Sequence, residues 1–291
     1  MNEHNINDFE QLWDYNNPKE TGQKFRALLP EAEKQKDNSK YIELLTQIAR
    51  TESLQRKFDD AHKILDKAMK LIKPEHIVPR IRYMLERGRT YNSSGELGKA
   101  REIFLAAFSQ AEKYNEDFYA IDAAHMMGIV EKDEESLKWN RIAIKIAEES
   151  KNKRANGWLG SLYNNTGWTY HDMKEYDKAM ELFEKNVIWH TKRNSKQPLI
   201  IAKWCVARTL RSMDKIKEAL KMQKDLTKEI EEKKLNNGGY NFEEIGECML
   251  LLDKKDESKP YFKKAYELLS ADIWLQANEK ERLNRLQKLS K

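Results

Sequence analysis

Apolar positions along most of this 291-residue chain recur with the 3.6-residue period of amphipathic helices. Residues 162–186, LYNNTGWTYHDMKEYDKAMELFEKN, show the unit most clearly. Two short helical stretches meet there at the polar pair Lys174 and Glu175. Each stretch carries a small residue, Gly167 and then Ala179, and Tyr170, Tyr176 and Phe183 surround them. The arrangement repeats from about residue 39. The first small residue of each unit is Ala49, Gly88, Gly128, Gly167, Ala207 or Gly246, at separations of 39, 40, 39, 40 and 39. The second is Ala61, Ala100, Ser136, Ala179, Ala219 or Ser258. Leu65, Phe104, Phe183 and Phe262 follow the second small residue four places on, and alanines recur three places later at Ala68, Ala107, Ala143 and Ala265. Two helices approach closely only where one presents a small residue and a large one fills the adjacent gap. The pattern therefore predicts stacked helical hairpins over residues 39–270. Turn signals separate the helices at Ser94 and Gly95, Lys174 and Glu175, and Asp253 and Lys254. Breaks between hairpins fall at Lys73 and Pro74, at 151–154, at Gln197 and Pro198, and at 236–239.

The two ends depart from the repeat. Residues 1–38 read as an N-terminal helical cap over the first apolar face. Pro18 suits the start of a helix through Phe25, Leu28 and Leu29, and Pro30 is expected to kink or end it. Residues 271–291 read as a capping helix with Leu275, Leu283, Leu286 and Leu289 on one face, and Trp274 is expected to pack on the last hairpin. The third hairpin is irregular inside the array. Gly128 and Ser136 are 8 residues apart where the other pairs are 12 apart. A shortened turn at 131–134 follows, with a longer second helix or a longer connection after it. Drift and a ligand pocket both account for such a change.

Composition supports helix: Gly (11) and Pro (6) are scarce among 35% charged and 40% hydrophobic residues. The net charge of +5 is the balance of 53 basic and 48 acidic residues, which does not by itself suggest nucleic acid. Two cysteines, Cys205 and Cys248, lie in separate helical stretches and imply buried thiols in a reducing compartment. The opening MNEHNINDFEQLW is polar and acidic, unlike a signal peptide. No apolar run approaches the roughly 18 residues that span a bilayer. A cytoplasmic protein with no membrane partner is expected.

The hairpin resembles the tetratricopeptide repeat. Gly88, Tyr91, Gly95, Ala100, Phe104 and Ala107 carry the likeness, as do Gly167, Tyr170, Tyr176, Ala179 and Phe183. Asn140 and Gln223 stand in place of the large apolar residue, and Asn186 and Leu226 in place of the last alanine, so those hairpins match less well. The period is also longer than the common repeat of about 34 residues. The resemblance implies an all-α fold, a right-handed superhelical solenoid of about six hairpins capped at both ends. It also implies a binding face lined by the first helix of each hairpin. The chain as a whole is similar to stand-alone bacterial tetratricopeptide proteins of unassigned role.

On that implied face fall Thr46, Gln47 and Arg50; Arg82, Leu85, Glu86 and Arg89; His125, Met126, Ile129 and Lys132; Asn164, Asn165, Trp168 and His171; Trp204, Cys205, Arg208 and Arg211; and Tyr240, Glu243, Glu244, Glu247 and Leu250. Its basic residues are mostly arginine, although the chain has 15 Arg and 38 Lys. Arginine recognises carboxylates bidentately and stacks on aromatics, and pairing with groove glutamates explains it equally well. Amides offer both donor and acceptor to a peptide backbone, and Asn165 matches the asparagine that peptide-clamping repeats use. The paired Lys and Arg set of a carboxylate clamp is not clearly present. Trp168 and Trp204 suggest a stacking floor, or wedges between helices. The expected ligand-binding residues are thus Arg89, His125, Asn164, Asn165, Trp168, His171, Trp204, Arg208 and Arg211. The spacing of His125 and His171 with Asp122 or Asp172 matches no helical metal motif. No catalytic constellation, metal or cofactor is expected. The expected function is a non-enzymatic scaffold for a protein or peptide segment with acidic residues and an aromatic or apolar anchor. The alternative is a ligand-responsive regulator that binds a small molecule or short peptide near the third and fourth hairpins. Glu243, Glu244 and Glu247 interrupt any continuous phosphate track, so nucleic acid is not an expected partner.

Overall fold

The computed structural model describes residues 6–236 and 239–291, with side chains described from residue 9 onward except at 273, 274 and 277. The expected packing of Trp274, and part of the expected break at 236–239, lie outside the described residues. Among the described residues all regular structure is helical. The chain divides into two compact units, Met1–Trp158 and Leu159–Lys291.

The first unit opens with a short 3₁₀ helix, Ile6–Leu12, and α1, Pro18–Glu33. Three hairpins follow: α2 (Ser39–Leu54) with α3 (Phe58–Leu71), α4 (Ile77–Ser94) with α5 (Leu97–Lys113), and α6 (Asp117–Val130) with α7 (Asp133–Glu149). A single turn, α8 (Lys153–Asn156), ends the unit. The second unit pairs α9 (Leu159–Asp172) with α10 (Tyr176–Lys192), α11 (Lys196–Ser212) with α12 (Ile216–Glu232), and α13 (Tyr240–Leu251) with α14 (Lys255–Leu269). It closes with α15 (Ile273–Asn278) and α16 (Lys280–Leu289).

The small-to-large packing read from the sequence is the packing observed. A Cβ at Gly167 would sit 2.5 Å from the Phe183 ring, and one at Gly246 would sit 2.8 Å from Phe262. Gly88 meets Phe104 in the same way. Phe104, Phe183 and Phe262 are fully buried, as are Leu65, Ala68, Ala107, Ala143 and Ala265. In the third hairpin Asn140 takes the aromatic's place, and a Cβ at Gly128 would meet its Oδ1 at 2.6 Å.

The turns follow from helix termination. Seven places after the small residue, five hairpins put one residue in the left-handed region: Arg56 (φ 61°), Gly95 (89°), Lys174 (62°), Asp214 (61°) and Asp253 (60°). The next N–H then donates to a carbonyl five residues back, as Glu175 does to Tyr170 and Lys254 to Met249. This Schellman closure satisfies carbonyls that the helix end leaves open. The third hairpin omits it. Only Glu131 and Lys132 join α6 to α7, both extended, and the Ser136 hydroxyl donates to the Gly128 carbonyl at 2.6 Å.

Of the two alternatives for the third hairpin, the longer connection is the one observed: α7 has the same 17 residues as α5, α10 and α12. The displaced residues lie in the connection, which coils into α8 under an Asn152 side-chain cap. Three expectations need correction. Pro30 does not end its helix, since α1 runs on to Glu33. The N–H that Pro30 lacks would have served the carbonyl of Arg26, an exposed residue whose backbone water can reach, so the helix continues for one more turn. The C-terminal cap is two helices broken at Glu279, although Leu275, Leu283 and Leu286 share one buried cluster with Phe262 and Leu269, as their spacing implied. Lys132 belongs to a turn and not to a first helix.

Candidate functional site

In the first unit the first helices α2, α4 and α6 pack side by side. Their shared face carries Gln47 and Arg50, then Arg82, Leu85, Glu86 and Arg89, then Phe118, Tyr119 and Asp122, around a cavity of about 330 Å³. Charges alternate across it. Arg50 pairs with Glu86 at 3.2 Å, and Arg89 lies between Glu86 (2.8 Å) and Asp122. Arg82 is 6% exposed and bonds Tyr119 and Glu10, with Glu43 at 3.4 Å. The remaining wall comes from outside the hairpins: Glu10, Trp13 and Tyr15 from the start of the chain, and Arg154 and Trp158 from the connection after α7. His125 packs its ring on Trp158 at 5.5 Å, and its Nδ1 has no hydrogen-bond partner among the described residues. Burial pushes the His125 imidazole below its ordinary pKa, with Asp122 opposing and Arg89 reinforcing the shift.

In the second unit the corresponding face belongs to α9, α11 and α13. Trp168 lies 5.9 Å from Trp204 at 42°, and Trp204 lies 6.1 Å from Tyr240 edge-on. Trp168 also leans on Phe183 at 5.2 Å and on His171 at 4.9 Å. The tryptophans are therefore tilted against one another and half-buried, wedged as much as stacked. Asn164 accepts from the Cys205 thiol at 3.5 Å and donates to Asn165, whose side chain is exposed. His171 meets the Ser212 hydroxyl at 2.9 Å, and Arg208 donates to the same oxygen at 2.6 Å. Burial and then Arg208 hold the His171 imidazole below its ordinary pKa.

Glutamates close this face. Glu244 receives Arg211 bidentately at 2.7 and 3.0 Å and Arg208 at 3.1 Å. Burial raises its carboxyl above the ordinary value, while the two guanidiniums oppose that shift and favour the carboxylate. Glu243, the neighbouring residue, points about 100° away around the helix and is held by Arg282 of α16. Glu247 pairs with Arg285 of the same helix. The terminal helix thus does more than cover apolar surface, because it neutralises two carboxylates of α13.

Three comparisons bear on the fold. Residues 160–185 match the family described as Tetratricopeptide repeat. No curated protein matches the chain. Among solved structures, the apo form of RapI superposes with a TM-score of 0.72 at 13% identity, over 92% of this chain and 76% of RapI. A signal transduction ATPase with a tetratricopeptide repeat sensor, from Pyrococcus horikoshii, gives 0.71 at 16% identity over 94% of this chain and 42% of that one. The apo form of the quorum sensor NprR from B. thuringiensis gives 0.64 at 13% identity over 98% and 79%, and NprR in complex with its cognate peptide NprX gives 0.52 at 14% over 98% and 81%. The fold is that of tetratricopeptide-repeat proteins.

The tetratricopeptide hairpins sort the expected site residues into two sets. Asn164, Asn165, Trp168, His171, Trp204, Arg208 and Arg211 come together on the second unit's face. Arg89 and His125 belong to the first unit. The arginine bias has the plainer of its two explanations, since Arg50, Arg82, Arg89, Arg208 and Arg211 are all in ion pairs. Sequence reasoning missed Glu10, Trp13, Tyr15, Arg154 and Trp158, which lie outside the repeating tetratricopeptide register. Only their residue types, aromatics and arginine in segments of no periodic pattern, hinted at a role. Among the described residues no cluster of His, Cys, Asp or Glu is placed to hold a metal ion.

Proposed function

We propose that this protein is a non-enzymatic binder of peptide segments, with the α9–α11–α13 face as its working surface in the second unit. The observation that carries this reading is the run Trp168–Trp204–Tyr240, with Arg208 and the exposed amide of Asn165 beside it. Aromatic rings on a rigid helix face supply anchor area, arginine recognises a carboxylate, and an amide pairs with peptide backbone. The ligand is a segment with an apolar or aromatic anchor and acidic residues. The similarity to NprR, solved with its cognate peptide NprX, supports a peptide ligand. The test is selection from a displayed peptide library, with the selected peptides titrated calorimetrically into wild type, Trp168→Ala and Arg208→Ala. Equal affinity for all three proteins would remove this face from the account.

A second reading makes binding a signal. The similarity to a quorum sensor and to a tetratricopeptide repeat sensor favours it over a passive scaffold. A small ligand at 100 times its dissociation constant adds about 2.7 kcal/mol to stability, so thermal melting against small-molecule and short-peptide libraries separates the two. A shift with peptides alone supports the peptide reading. The setting we propose is cytoplasmic, where the two unpaired, buried thiols persist.

A further inference from the structure

Residues 9–15, Phe-Glu-Gln-Leu-Trp-Asp-Tyr, belong to no hairpin, yet they lie on the arginine-rich face of the first unit. Phe9 is buried edge-on against Phe25, with the Arg82 guanidinium 5.4 Å from its ring centre. Glu10 bridges Arg82 of α4 and Arg154 of α8. The Trp13 indole donates to Gln47 of α2 at 3.0 Å. Tyr15 stacks on Trp13 at 4.7 Å and 6°, and Arg50 lies 5.9 Å from its ring.

Shape and charge mark this segment as an occupant of the face. Its regular part is a 3₁₀ turn, whose hydrogen-bond geometry is poorer than that of an α-helix. Tyr15 is 61% exposed. Cavities of about 330 and 590 Å³ meet at Glu10, Arg82, Tyr119 and Arg154, so the face is wider than the segment that crosses it. Among the described residues Glu10 is the one carboxylate paired with Arg154, and the other carboxylate near Arg82 is Glu43 at 3.4 Å. Removing Glu10 strips Arg154 of its ion pair and leaves a nearly buried Arg82 short of one. The bare face then favours a carboxylate set among aromatic rings.

We propose that residues 9–15 are a built-in ligand of the first unit, and that an external peptide segment carrying a carboxylate flanked by aromatic side chains takes the same face by displacing them. This goes beyond the reading above, which concerns the second unit. The probe is a fluorescein-labelled peptide with the sequence of residues 8–17, titrated by anisotropy into the full-length chain. The Glu10→Gln chain is expected to bind it at least tenfold more tightly than wild type, and Trp13→Ala to act in the same direction. A probe with glutamine in place of its own Glu10 is expected to lose at least tenfold in affinity. Melting curves report whether the variants are folded. Should Trp13→Ala be unfolded, Glu10→Gln, which removes only a charge, decides alone. Equal affinity of wild type and the folded variants overturns the proposal, as does the absence of binding to any of them, or a glutamine probe that binds as well as the original. Trp168→Ala leaves this titration unchanged, so the two readings fail separately.

Discussion

Single side chains decide how closely the helices approach. Gly167→Ala brings a methyl against Phe183 in a contact no real Cβ makes, and overpacking of this kind costs about 1–3 kcal/mol. Urea denaturation should show that loss. Gly98 is the control, since nothing lies within 4 Å of its added Cβ. There alanine should stabilise by about 0.4–1 kcal/mol through the unfolded chain. The thiols make a second residue-scale prediction. Burial pushes Cys205 up to about 12, and burial followed by Glu244 pushes Cys248 up to about 12. Neither should react with a thiol reagent at pH 8 in the native protein, and both should react in urea. Rapid native labelling at either site would contradict the buried geometry.

Helix ends and tethers are the element scale. The left-handed region costs a non-glycine residue roughly 1–2 kcal/mol, and the extra chain entropy of glycine returns about 0.5–1 kcal/mol of that. Lys174→Gly should therefore stabilise by about 0.5–1 kcal/mol, measured as a higher urea midpoint with unchanged slope. The tether at residues 9–15 responds to pH. Burial alone would raise the Glu10 carboxyl, but Arg82 and Arg154 outweigh it and hold it below 4.5. A depressed carboxyl contributes stability above its unfolded pKa and loses it as pH falls through the folded one. Glu43 and Tyr119 are the other titratable groups near Arg82. Wild type should protect residues 9–15 from hydrogen exchange more than Glu10→Gln at pH 7. That difference should shrink once the pH falls below the ordinary carboxyl value and vanish when it has fallen below the depressed Glu10 value. Equal protection of the two chains at pH 7 would mean that the apolar contacts of Phe9 and Trp13 alone hold the segment.

At the scale of the whole molecule, charge is spent internally. The net +5 includes arginines on the first-helix faces of both units that already hold carboxylates. Counterion release from nucleic acid needs free cations in a row. An electrophoretic shift assay with single- or double-stranded nucleic acid in 150 mM salt should therefore show no retention, on the order of the weak non-specific binding expected of any near-neutral protein. Salt-sensitive retention would show that these ion pairs open for phosphate.

The hairpins, their turns and the pairing of Gly88, Gly167 and Gly246 with their phenylalanines were legible because they are local and periodic. Gly167 and Phe183, or Gly88 and Phe104, meet through sterics that one turn of separation already sets, and the same spacing recurs down the chain. What only the tertiary structure decided is which charge meets which. Glu10 reaches Arg82 across 72 residues and Arg154 across 144, and Arg282 reaches Glu243 across 39. Such pairs leave no period in the sequence, because a long flexible side chain on any facing helix satisfies a carboxylate equally well. The resting place of residues 9–15 was hidden for the same reason: a segment without a repeat is positioned by contacts that exist only after the hairpins have stacked.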